Sequence, residues 1–143
     1  HMVNILVGEG APEYGDLDNS GLAENPGDGV GVRGYLQQMA AQLATVEPDS
    51  AERHYYTTLA TAAVDNSLTL IDELLNKASK IIAADTATEA LMTREEMEPL
   101  LALLLTGIDK DENGVPDSLL GEGGIEALPA LIKAAAHWAI VEQ

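Results

Sequence analysis

Residues 49–84 read DSAERHYYTTLATAAVDNSLTLIDELLNKASKIIAA. Asp49-Ser50-Ala51-Glu52 is a capping signature, with an acidic N-cap and Glu at N3, so a helix is expected to start there. Tyr55, Leu59, Ala62, Ala63, Asn66, Leu70, Leu74, Ala78 and Ile81 then recur at the spacing of one helical face. Leu68, Ile71, Leu75 and Ile82 widen that stripe, which implies several packed neighbours. A single long helix running to about Ala84 therefore organises the chain.

The segments on either side follow the same period. Val32, Leu36, Met39, Ala40 and Leu43 predict a helix between Val30 and Glu47, with Pro48 as punctuation. Thr86-Ala87-Thr88-Glu89 and Thr93-Arg94-Glu95-Glu96 are further capping boxes. They predict a short helix near 87–92 and another from about 94 to 106, with Pro99 kinking or restarting it. A last helix is expected from Ile125 to about Val141, carrying Leu128, Leu131, Ile132, Ala135, Trp138 and Val141 on one side and Pro129 in its first turns. No stretch alternates apolar and polar residues over any length, and aromatics are only 3 % of the chain. The expected fold is all-α, a bundle of four or five helices in one domain over 3–143. Alanine-rich faces at 60–63 and 134–136 imply close helix approach. His1-Met2 reads as the remnant of a cleaved tag.

With 143 residues the chain can bury a core without covalent staples, and it has no cysteine. Asp and Glu outnumber Lys and Arg by 24 to 7, for a formal charge of −17. That charge repels nucleic acid and anionic bilayers, so neither is an expected partner. The longest apolar run, Leu100 to Leu105, is far short of the roughly 20 residues of a spanning helix.

Many of the acids sit in two glycine-rich loops, 8–29 and 107–124, rather than on the helices. Asp109-Lys110-Asp111-Glu112-Asn113-Gly114-Val115-Pro116-Asp117 places oxygen side chains at positions 1, 3, 5 and 9 and glycine at 6, with the Val115 carbonyl at 7. Alternating residues can turn hard oxygens inward, and glycine at 6 permits the sharp turn that a calcium loop requires. Asp16-Leu17-Asp18-Asn19-Ser20-Gly21-Leu22-Ala23-Glu24 repeats that frame, with the Leu22 carbonyl at 7. Gly27-Asp28-Gly29 and Gly121-Glu122-Gly123 then supply a glycine-flanked acid to each loop. Ile5-Leu6-Val7-Gly8 precedes loop one much as Leu104-Leu105-Thr106-Gly107 precedes loop two, so the chain reads as two related helix-loop-helix units. On that reading Val3 to Val7 is the end of a helix whose body belongs to a longer parent protein. It should pack beside Leu100–Thr106 or that segment's partners.

These loops resemble the calcium loops of EF-hands, dockerin repeats and thrombospondin type 3 repeats. They depart from the EF-hand at position 12, where Gly27 and Leu120 replace the bidentate Glu, and Asp28 and Glu122 are the candidate substitutes. The resemblance implies two calcium ions. Their expected ligands are Asp16, Asp18, Ser20, Leu22, Glu24 and Asp28 in loop one, and Asp109, Asp111, Asn113, Val115, Asp117 and Glu122 in loop two. The plain alternative is a pair of metal-free Asx-turn loops capping helices. Without a position 12 acid the affinity should be modest, matched to millimolar calcium outside a cell. The chain is therefore expected to be a non-catalytic, calcium-stabilised structural or interaction module of a secreted or cell-surface bacterial protein, contacting neighbouring domains or a protein partner.

Other residues support rival readings. His54, His137 and Trp138 could line a pocket for a transition metal or small ligand, and the loops could instead form a calcium-responsive switch. Met39, Met92 and Met97 read as core filler. Asp65 and Asn66 interrupt the apolar face of the long helix and should form a cross-helix hydrogen bond. No nucleophile elbow, phosphate loop or zinc-protease motif is present, so no catalytic residue is named.

Overall fold

The computed structural model describes residues 1–24, 27–47 and 49–137, with only the backbone of His137. Five α-helices follow in chain order: α1 Met2–Val7, α2 Val32–Leu43, α3 Ala51–Ile82, α4 Ala87–Thr106 and α5 Leu128–His137. Two 3₁₀ turns, Ser118–Leu120 and Ile125–Ala127, lie between α4 and α5. The fold is all-α, and the described residues contain two isolated β-bridges but no strand.

The central element is α3, against which α4, α5, α2 and α1 all pack. Its wide stripe explains this: Leu59, Ala60, Ala63, Val64, Leu70, Ile71, Leu74 and Ala78 are all buried, facing more than one neighbour. Ala60 and Ala63 are fully buried, so helices approach closely where the side chains are short. Leu36 of α2, Met97 and Leu104 of α4, and Leu128 and Leu131 of α5 complete the core. Burying each such leucine contributes roughly 1.5–3 kcal/mol.

Several boundaries differ from expectation for identifiable reasons. The N-cap of α3 is Ser50, whose hydroxyl accepts from the Arg53 amide, while Asp49 forms an ion pair with the Arg53 guanidinium at 2.6 Å. The region 87–106 is one helix, not two. Thr86 caps its start, but the Thr93 hydroxyl donates to the Glu89 carbonyl within the helix, so the second capping box marks no second start. Pro99 lies inside α4 without ending it. Residues Ile125–Ala127 form a 3₁₀ turn, and α5 begins at Leu128, which places Pro129 in the first turn, where its missing N–H is harmless. Trp138 and Val141 lie outside the described residues.

Asn66 is buried as expected, but Asp65 is exposed. Met97 is in the core and Met39 packs against it, whereas Met92 is 62 % exposed and is not core filler. The segment Val3–Val7 lies in a helix that packs on α2 and on α3, itself the main partner of α4.

Candidate metal centre

Loop two begins where α4 ends. Gly107 adopts φ +114, and a Cβ there would stand 1.9 Å from the Glu122 carbonyl oxygen. Only glycine permits that approach, and it lets Gly107 bridge antiparallel to Gly123. The Ile108 amide donates to the Glu122 carbonyl at 2.8 Å, and the Gly124 amide to the Thr106 carbonyl at 3.2 Å. Loop one closes in the same way. Gly8, at φ +80, bridges to Val30, and the Glu9 amide donates to the Gly29 carbonyl at 2.8 Å. Counting each loop from its first Asp, both bridges fall at position 15.

The interiors also correspond. Asp109 accepts from the amides of Asn113 (3.1 Å) and Gly114 (2.6 Å), Asp111 accepts from Asn113 (3.1 Å), and the Asn113 side-chain oxygen accepts from Val115 (2.9 Å). In loop one Asp16 accepts from the amides of Ser20 (2.9 Å) and Gly21 (2.8 Å), Asp18 from Ser20 (3.1 Å), and the Ser20 hydroxyl oxygen from Leu22 (3.4 Å). Position 4 is left-handed in both, Asn19 at φ 55 and Glu112 at φ 59, and so is the glycine at position 6, Gly21 at φ 88 and Gly114 at φ 93. Two loops that share these angles and bonds share a backbone path through their first seven positions.

They differ in the glycine-flanked acid that follows the frame. In loop two one carboxylate oxygen from each of Asp109, Asp111 and Glu122 falls within a group spanning at most 4.8 Å. Glu122 is 1 % exposed and stands at position 14. One of its oxygens accepts from the amides of Lys110 (2.8 Å) and Asp111 (3.1 Å), the other from Asp117 (2.8 Å). The Asp117 amide chiefly holds its carboxyl below the usual glutamate range, with Lys110 and Asp111 assisting and burial opposing. A carboxylate has about four acceptor sites, so one remains for a cation. Asp117 caps the following 3₁₀ turn through the Leu119 amide at 2.8 Å and is not in the three-acid group.

Loop one has Gly29 at position 14. Asp28, one residue earlier, accepts from the Val30 amide at 2.9 Å and from the Tyr35 hydroxyl. The Tyr35 hydroxyl holds the Asp28 carboxyl below its ordinary range, and Asp28 in turn raises that of Tyr35. Glu24 contacts His1 at 2.7 Å. Among the described residues the three-acid grouping occurs in loop two alone. The Glu9 carboxylate, which sequence reasoning did not place in the site, lies 3.1 Å from where a Cβ on Gly29 would stand.

Two asparagines fasten the loops to the helices. Asn66 of α3 is 7 % exposed and donates to the carbonyls of Gly121 (3.1 Å) and Gly123 (3.3 Å), on either side of Glu122. Asn4 of α1, 2 % exposed, bonds both the amide and the carbonyl of Gly15, which precedes Asp16. Asn4 was missed, although a lone amide inside the apolar run Val3 to Val7 was the available signal. His54 is exposed, and the side chains of His137 and Trp138 lie outside the described residues. No helix among the described residues is long and apolar enough to cross a membrane. No family model, curated protein or solved structure significantly matches the chain.

Proposed function

We propose that this chain is a non-catalytic calcium-binding module in which loop two is the principal site and loop one a weaker second one. The reading is carried by the convergence of Asp109, Asp111 and Glu122 oxygens within 4.8 Å on a loop whose positions 4 and 6 are both left-handed. The donor set fits a hard cation: three carboxylates, the amide oxygen of Asn113 and the carbonyl of Val115 are all oxygens, and calcium takes six to eight such ligands. Asp117 would add a sixth by turning from its cap. Loop one would use Asp16, Asp18, Ser20, the Leu22 carbonyl and Glu24, whereas Asp28 is oriented toward Tyr35 and the Val30 amide and falls in no three-acid group among the described residues. The role is structural, fixing the connections between helices in a module of an extracellular bacterial protein.

Calorimetric titration tests this directly. Calcium should bind loop two with an affinity that Asp109→Ala and Asp111→Ala each lower by at least about tenfold, or 1.4 kcal/mol. Magnesium should bind more weakly, because it demands a tighter octahedron and keeps its waters. Calcium binding undiminished in both variants would refute loop two as the site.

A further inference from the structure

Residues of α3 and α4, with Met2 and Val3 of α1 and Leu17 and Asp18 of loop one, line an apolar groove of about 670 Å³. Ala78 and Met97 form its floor, Ile81 and Ile82 one wall, and Leu91 and Leu101 the other. The floor is buried but the walls are not: Ile82 is 58 % exposed, Leu91 55 % and Leu101 37 %. Leu17 of loop one, 37 % exposed, stands at one end, where a second depression of about 220 Å³ shares Val3, Leu17, Ala78 and Ile82 and extends the groove along α3 to Leu75. From Leu91 to Leu101 the α4 wall runs about 15 Å at 1.5 Å per residue, close to three helical turns. Isolated exposed leucines are ordinary, but a continuous apolar trench between two helices has the shape that accepts a third helix.

The charges around it select the occupant. Asp18, Glu95 and Glu98 line the groove with one side-chain cation, Arg94, and the N-terminal ammonium of His1 acts on Asp18. His1 also borders it but contacts Glu24. The whole chain carries −17. A second copy would bring these same acids and that same net charge against themselves, and an anionic bilayer would be repelled in the same way. A helix with apolar residues on one face and lysine or arginine on the flanks satisfies both the trench and its rim. We propose that this groove docks a basic amphipathic helix of a partner protein, with its apolar side chains seated over Ala78 and Met97 and its cations facing Asp18, Glu95 and Glu98. Glu95 and Glu98 lie outside both loops and carry the proposal independently of the calcium reading, in which Asp18 is a loop one ligand.

The probe is a fluorescent synthetic helix of about fourteen residues with Leu at i, i+3, i+4 and i+7 and Lys elsewhere, titrated with the full chain in calcium and in chelator and read by anisotropy. Saturable one-to-one binding in either condition is expected. The matched peptide with Glu in place of Lys should bind at least about tenfold more weakly. Paired Ile82→Asp and Leu91→Asp should weaken the basic peptide at least about tenfold, with helicity by circular dichroism unchanged. Because Glu95 and Glu98 are exposed, Glu95→Lys with Glu98→Lys provides a variant free of core effects, and it should shift preference toward the acidic peptide. No saturation in either condition would overturn the proposal. So would basic-peptide affinity that is undiminished in the Ile82→Asp, Leu91→Asp variant, which adds negative charge and would keep a merely net-charge attraction, or an unsubstituted chain that sediments as a dimer and becomes monomeric in that variant.

Discussion

Glu122 and Asn66 show how much of the loop two site depends on single side chains outside the acidic frame. Glu122 is held by three backbone amides, and Asn66 holds the carbonyls on either side of it, so the acid is positioned from two directions. Because the folded carboxyl of Glu122 sits below its ordinary value, its contribution is fully present above the unfolded value of about 4.3 and is lost as pH falls through the folded one. In chelator, Glu122→Gln should therefore melt below the parent at pH 6, and the gap should narrow below pH 4. A gap unchanged with pH would show that shape, not charge, matters there. Asn66→Ala leaves two carbonyls without their buried donor and should cost about 1–3 kcal/mol in denaturant unfolding. It should also weaken calcium binding, whereas exposed Asp65→Ala should change neither.

The two helix ends that open onto the acidic loops, α1 at Gly8 and α4 at Gly107, are glycine closures, and the closures are built alike. A Cβ at Gly107 would lie 1.9 Å from a carbonyl oxygen and one at Gly8 would lie 2.3 Å from an amide nitrogen, while Gly10, with φ +83, has open space around it. Gly107→Ala should therefore break the bridge to Gly123 and lose several times more stability than Gly10→Ala, which should cost only the roughly 1 kcal/mol of a strained backbone angle. Hydrogen exchange at the Ile108 amide, which the bridge protects, gives the local readout, and unchanged protection in Gly107→Ala would contradict this account. The helices were legible because their cores repeat at three and four residues and capping signatures mark the starts of α3 and α4, although Ser50 rather than the expected Asp49 caps α3. The false boundary near Thr93 and the shift of the α5 start to Leu128 were not, because a capping box describes which bonds are possible and the surrounding helix decides whether they form.

Across the whole molecule, a charge of −17 concentrates strain where acids crowd, and two bound calcium ions would bring it to −13. Calcium in a hundredfold excess over its dissociation constant stabilises by about 2.7 kcal/mol, so melting in saturating calcium should exceed melting in chelator by several degrees. Superimposable unfolding curves would argue that these loops are metal-free turns. The sequence by itself determined the all-α class, the central helix and the two loop frames, because periodicity, caps and the alternation of acids around a glycine are local properties. It also contained the repeat, visible as paired Asp-x-Asp frames and realised in matching angles at Asn19 and Glu112. Only the tertiary structure decided which of the two glycine-flanked acids turns into its own loop. Asp28 and Glu122 look interchangeable as glycine-flanked acids, yet they stand one position apart in the frame. Asp28 turns to Tyr35 of α2, while Glu122 turns inward onto amides of its own loop under the hold of Asn66 from α3. The hold on Glu122 comes through Asn66, whose bond to the neighbouring Gly121 carbonyl spans 55 residues of chain, beyond the reach of any local pattern.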